Sequence, residues 1–198
     1  WIKLIISWDS NAQIILHGVS MGAATVLMAS GEELPENVKV IIADCGYTSE
    51  WDEFKCEANA LHIPWFPVLN AASVMSRLRD GYDFKQASAL EQVKQSRIPT
   101  LFIHGSDDEL VPYSMLDKLY SAAVCKKECL TVNGAGHALS SSVEPELYWN
   151  TVESFIEKYL EKYRDDLLPA DLLVWEQGNR NSKGQLEITG GNKGIITF

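Results

Sequence analysis

The chain has 198 residues, 46% apolar and 22% charged, which is ordinary for one soluble globular domain with a sizeable core. A net charge of -10 argues against non-specific nucleic-acid binding. No apolar run approaches the roughly 20 residues that a membrane helix needs. The four cysteines, Cys45, Cys56, Cys125 and Cys129, make no CxxC pair and no His/Cys zinc pattern. They are expected to be reduced thiols of a cytoplasmic protein.

In chain order, Trp1 to Ser7 reads as the tail of a helix whose start lies upstream. Gln13 to His17 is a short strand, apolar at successive positions and therefore expected to be covered on both faces, as parallel strands are. Helix follows from about Met21 to Ser30, with Gly31 as a natural stop. Val38 to Ala43 is the second strand, closed by Asp44-Cys45-Gly46-Tyr47. Residues 48–97 hold no strand-like run. They carry helical pieces at Trp51 to Leu61, Trp65 to Arg79 and Ala87 to Lys94, punctuated by Pro64 and Pro67. This excursion is too long for a single crossover helix, so it reads as a crossover plus a helical lid. Of Trp51, Phe54, Trp65 and Phe66, some are expected to pack on the sheet and some to line a substrate pocket.

Thr100 to His104 is the third strand. Tyr113 to Val124 is a helix with Pro112 at its start, and Glu128 to Val132 is the fourth strand. Glu146 to Tyr163 is an amphipathic helix with the stripe Tyr148, Val152, Phe155, Ile156, Tyr159, Tyr163. Alternation of strand and helix predicts an α/β fold with a parallel sheet flanked by helices over residues 1–163. Residues 164–198 carry short β-like runs at Leu172 to Glu176, Gln185 to Thr189 and Gly194 to Phe198. They form either a small β meander or a tail.

The chemistry concentrates at Gly18-Val19-Ser20-Met21-Gly22. Strand, sharp turn and helix with a serine at the turn is the G-x-S-x-G nucleophile elbow, whose glycines let strand and helix approach closely. The Met21 N–H, just after the nucleophile, is an oxyanion-hole donor. A serine needs a base. Of the four histidines, His17 is expected to be packed, His62 lies in the excursion, and His104 is expected to hydrogen-bond within loops. His137, in Gly134-Ala135-Gly136-His137-Ala138, lies after the last strand, where the order Ser, acid, His puts the base. The acid is expected in Ser106-Asp107-Asp108-Glu109, after the third strand, and residue type alone does not choose among the three. Its task is to hold the imidazole tautomer and stabilise imidazolium. The glycines near Ser20 do not form GxGxxG and there is no Walker pattern, so neither a metal nor another cofactor is expected.

With these motifs the chain resembles α/β-hydrolase-fold serine hydrolases, and is most similar to the bacterial lipase/esterase and serine-aminopeptidase-like group. His17-Gly18-Val19-Ser20-Met21-Gly22, His104-Gly105-Ser106-Asp107-Asp108-Glu109-Leu110-Val111-Pro112 and Gly134-Ala135-Gly136-His137 carry the resemblance. Its H-G-x-x-D-x-x-V-P pattern puts the acid at Asp108. It implies hydrolysis of an ester or amide through an acyl-enzyme. A carboxylesterase acting on a small-molecule ester is expected first, a peptidase or amidase of the same fold second, and a non-catalytic binding protein of this fold third.

In the family several strands precede the nucleophile strand, with a loop that gives a second oxyanion donor. The chain is therefore expected to be an N-terminally truncated hydrolase domain, feeble alone, since one lost donor costs on the order of 10²–10³ in rate. The sheet edge beside Ile14-Ile15-Leu16 is expected to be open, or else closed by the β-like tail or by a second copy in a homodimer. The tail glycines favour the open edge.

Overall fold

The computed structural model describes residues 1–160 and the backbone of 173–175 and 194–197. The sheet contains β1 (Ile14–Val19), β2 (Val38–Asp44), β3 (Thr100–Gly105), β4 (Lys127–Val132), β5 (Leu173–Trp175) and β6 (Gly194–Thr197) in the order β4-β3-β2-β1-β6-β5. Every pairing is parallel. Ile14, Ile15 and Leu16 are all buried, as consecutive apolar residues require when helices cover both faces.

Successive residues of β1 point to opposite faces and enter different cores. Ile14 and Leu16 join Ala23, Val26 and Leu27 of α2 (Met21–Ala29), Ala89 and Val93 of α5 (Ala89–Val93), and Leu116 and Leu119 of α6 (Ser114–Ala122). Ile15 joins Val40, Ile42, Leu101 and Ile103 beneath Tyr148, Val152, Phe155 and Ile156 of α8 (Pro145–Tyr159). Each such large side chain contributes about 1.5–3 kcal/mol by leaving water. Tyr163, the last residue of the expected stripe, lies outside the described residues, as does the Gln185 to Thr189 run.

The excursion between β2 and β3 is helical, as expected. It comprises α3 (Glu50–Ala60), α4 (Trp65–Asp80) and α5. Ser49 caps α3 by accepting from Asp52 N–H at 3.1 Å, and Ser88 caps α5 by accepting from Glu91 N–H at 3.2 Å. Such caps satisfy N–H groups that a helix cannot pair internally. Gly81, in the left-handed region with φ 84°, ends α4. Two short helices complete the set: α1 (Ile2–Trp8) and α7 (Ser140–Val143), the latter not foreseen from sequence.

The edge of β1 differs from the favoured expectation. β6 pairs there in parallel, with Ile15, Leu16 and His17 opposite Ile195, Ile196 and Thr197, and β5 pairs beyond it. Gly194 is the first residue of β6. The run Gly194 to Thr197 thus forms a strand even though it opens on a glycine. Unpaired edge N–H and C=O groups supply the driving force.

Candidate active site

Ser20 stands between β1 and α2 with φ 54° and ψ -115°, a left-handed φ that a non-glycine residue adopts only under local constraint. The constraint is the closeness of strand and helix. A Cβ at Gly18 would meet the Gly22 carbonyl oxygen at 2.2 Å. Gly105 has the same role one loop away, where a Cβ would meet the Ala135 carbonyl oxygen at 2.1 Å. That contact lets the loop after β3 lie against the loop after β4, bringing Asp108 and His137 together from 29 residues apart.

Ser20 Oγ lies 2.8 Å from His137 Nε2, and His137 Nδ1 lies 2.9 Å from Asp108 Oδ2. With Nδ1–H donating to the carboxylate, Nε2 is left as acceptor for the serine O–H. Asp108 is buried, and its Oδ1 accepts from Leu110 N–H at 3.0 Å and Val111 N–H at 2.9 Å. Burial pushes the Asp108 carboxyl up, but hydrogen bonds from His104, His137 and Val111 outweigh it and leave the group below the ordinary carboxylate value. It is therefore the ionised partner that a protonating imidazole needs. Asp107 is exposed and accepts from Ser106 Oγ–H at 2.6 Å.

Met21 is the first residue of α2, with its side chain 70% exposed. The first N–H groups of a helix have no intrahelical acceptor and form the positive end of its dipole, so this one can meet a developing oxyanion. His17 is buried with Nε2 2.9 Å from Tyr148 Oη. His104 is buried with Nε2 2.9 Å from the Val111 carbonyl and 3.3 Å from Asp108 Oδ2. His62 is an exposed residue at the end of α3. The four pocket candidates gather within the excursion. Trp51 meets Trp65 edge-on with centroids 6.4 Å apart, and Trp65 meets Phe66 at 6.2 Å. Phe54 packs on Phe84 at 4.8 Å. Phe66 is 65% exposed.

Residues that the sequence did not single out lie beneath the serine. Asp44, the last residue of β2, is buried and accepts from Ser140 Oγ–H at 3.0 Å, and Tyr148 also bonds to it. This network ties the segment after His137 to the end of β2. Burial raises the Asp44 carboxyl, and the Ser140 and Tyr148 bonds partly offset that. Cys45, with φ 47°, places its buried thiol beside Ser20 and Ala138 backbone groups, and burial pushes it up to about 12. Its Sγ, an Asp108 carboxylate oxygen and a His137 ring nitrogen lie within 4.8 Å of one another. A metal held there would compete with the Asp108–His137 hydrogen bond.

His17 carries a pH expectation. Burial pushes its imidazole from the ordinary 6.5 down to about 4, so the folded chain keeps it neutral while the unfolded chain protonates it. Stability is therefore lost as pH falls from 6.5 towards 4, on the order of 3 kcal/mol by pH 4. Urea unfolding across this range should show the loss, and His17→Gln should flatten it. An unchanged slope in the variant would assign the loss to other groups.

Compared with known proteins, residues 7–163 match the prolyl oligopeptidase family. The uncharacterized protein YqkD of Bacillus subtilis is 30% identical over 143 residues, 72% of this chain and 47% of that protein. Alpha/beta hydrolase domain-containing protein 17C of Xenopus tropicalis is 29% identical over 106 residues, 52% of this chain and 34% of its own length. Among solved structures, acylaminoacyl peptidase of Pyrococcus horikoshii superposes with a TM-score of 0.58 at 17% identity, over 84% of this chain and 28% of that one. An esterase of Pyrococcus furiosus gives 0.61 at 17%, over 81% and 59%. At such identities these structural likenesses speak for the fold alone. The chain thus spans about half or less of the curated relatives it matches here. The match over residues 7–163, together with the parallel sheet and its serine elbow, establishes that the chain belongs to the prolyl oligopeptidase family and carries the α/β-hydrolase fold.

Proposed function

We propose that this chain provides the catalytic part of a serine hydrolase that cleaves a carboxylic ester through an acyl-enzyme. The observation that carries the reading is the hydrogen-bonded relay Ser20–His137–Asp108, at 2.8 and 2.9 Å. Ser20 Oγ attacks the carbonyl carbon while His137 Nε2 takes its proton. Asp108, held ionised, stabilises the imidazolium and keeps Nδ1 as the protonated nitrogen. The carbonyl oxygen, now anionic, meets the Met21 N–H. His137 then gives its proton to the leaving alkoxide. Water repeats the sequence on the acyl-enzyme, with His137 again as base, and releases the acid.

An amide or peptide bond is the second reading, since the same relay serves both and a peptidase stands among the structural neighbours. The aromatic and apolar excursion favours the ester. A fluorophosphonate probe is expected to label Ser20, with loss of labelling in Ser20→Ala, read by intact-protein mass spectrometry. A chain that stays unlabelled would instead be a non-catalytic binding protein of this fold. Acyl esters assayed against aminoacyl amides separate the two enzymatic readings.

A further inference from the structure

The face of α3 turned to the body of the protein is acidic where an apolar stripe would be usual. Glu50, Glu53 and Glu57 follow helical spacing on one side of it. Glu53 is only 7% exposed, and its Oε2 has no hydrogen-bond partner. Glu50 Oε2 is likewise buried and unpartnered, as is Asn70 Oδ1 on α4. Burial pushes the Tyr47 hydroxyl up, and the carboxylates of Glu50, Glu53 and Glu57 around it push it further. Burial pushes Glu53 up to about 7, and the charges of Glu57 and Asp108 add to it. Cys56, on the same helix, packs against the cluster of Ala24, Tyr47, Val111 and Met115, so α3 lies against the first part of α2 and the loop that carries Asp108.

The nearby cations do not neutralise this group. Lys55 Nζ lies over the Trp65 ring at 4.7 Å and Lys85 Nζ over the Trp51 ring at 4.3 Å. Lys118 and Lys55 act electrostatically on Cys56. The Lys–carboxylate ion pairs Lys94–Glu91 and Lys158–Glu128 do not include the three glutamates. Buried acceptors without donors are costly, and a buried carboxylate is stable only when paired.

We propose that Glu50, Glu53 and Glu57 form a cation subsite beside Ser20 that takes the protonated amine of the substrate's acyl portion. This rests on the serine-hydrolase reading for turnover, though not for the binding of a cation. An ammonium group brings three donors to oxygens that lack them and a positive charge to carboxylates that neither of these ion pairs includes. It would draw the proton off Glu53 and hold the acyl chain with its carbonyl towards Ser20. The neutral acyl chain of equal length gains none of this.

The test uses the 198-residue chain and p-nitrophenyl esters matched in length, with NH₃⁺ in place of CH₃. The pairs are ε-aminocaproate against heptanoate and β-alaninate against butanoate. At one or both lengths kcat/KM should favour the amine about tenfold. Glu53→Gln should bring that ratio to within about twofold and Glu57→Gln should lower it in part, whereas Glu91→Gln, an exposed carboxylate paired with Lys94, should leave it unchanged. Binding of hexylammonium against hexanol to Ser20→Ala, followed by NMR titration, reads the same subsite without turnover. It should show the same preference and the same loss with Glu53→Gln. Equal ratios at both lengths, or a preference that survives Glu53→Gln or falls equally with Glu91→Gln, overturns the subsite and leaves the hydrolase standing. Absence of both fluorophosphonate labelling and ester turnover overturns the hydrolase. Hexylammonium binding then decides the subsite by itself, and no preference over hexanol ends it.

Discussion

Ser20→Ala is expected to remove ester turnover, with kcat falling by about 10⁴–10⁶ depending on how much rate the oxyanion donors retain. The expectation follows from the position of one atom. Ser20 Oγ is the group hydrogen-bonded to His137 Nε2, and among the described residues no other hydroxyl bonds to that nitrogen. The substitution should leave the fold intact, because the strained φ of 54° at Ser20 is set by the Gly18–Gly22 approach rather than by the hydroxyl. Alanine meets the same backbone penalty as serine at that φ. The measurements are p-nitrophenyl acetate hydrolysis and thermal unfolding on the same samples. Turnover within tenfold of wild type in a folded variant would remove Ser20 from the chemistry.

Asp108→Asn is expected to cost about 10⁴ in kcat, while Asp107→Asn costs no more than about twofold, as exposed substitutions usually do. The sign of the first effect follows from the hydrogen bonds. Asp108 Oδ1 accepts from Leu110 and Val111 N–H, so an asparagine keeps its oxygen there and turns its NH₂ towards His137. That NH₂ can only donate. His137 Nδ1 must then be the unprotonated nitrogen, and Nε2 carries the hydrogen and can no longer accept from Ser20. Asp107 lies outside this arrangement, bonded to Ser106 at the surface. The pair is measured by single-variant kinetics with circular dichroism as a check on folding. Equal losses in the two variants, or the larger loss at Asp107, would overturn the assignment of the acid.

Much of the site was legible in the sequence because its parts are local. A strand, a glycine-flanked serine and a helix lie within sixteen consecutive residues, and the steric reason for each glycine is visible in the pattern itself. The consecutive apolar residues of β1 likewise announce a strand covered on both faces. The choice of Asp108 over Asp107 was legible only through the resemblance of a longer motif. In the structure the choice is made by the turn at Leu110 and Val111, whose N–H groups hold one carboxylate inward while its neighbour faces water.

Other features depend on distant pieces of chain. Ser140 reaches Asp44 across 96 residues, and Tyr148 reaches His17 across 131. Glu53 is one of several charged residues of α3, and only packing against the rest of the chain buries it. The glycines of the tail argued for turns, yet β6 pairs with β1, because an unpaired strand edge is satisfied by any backbone that reaches it. The sequence by itself marked the main strands and helices, the serine at the elbow and the histidine in the loop after the last strand of the motif, since periodicity and turn chemistry act over a few residues. Only the tertiary structure decided which acid is buried, which polar groups lie behind His137 and what lies at the sheet edge, since burial and long-range hydrogen bonds depend on where the whole chain brings its parts together.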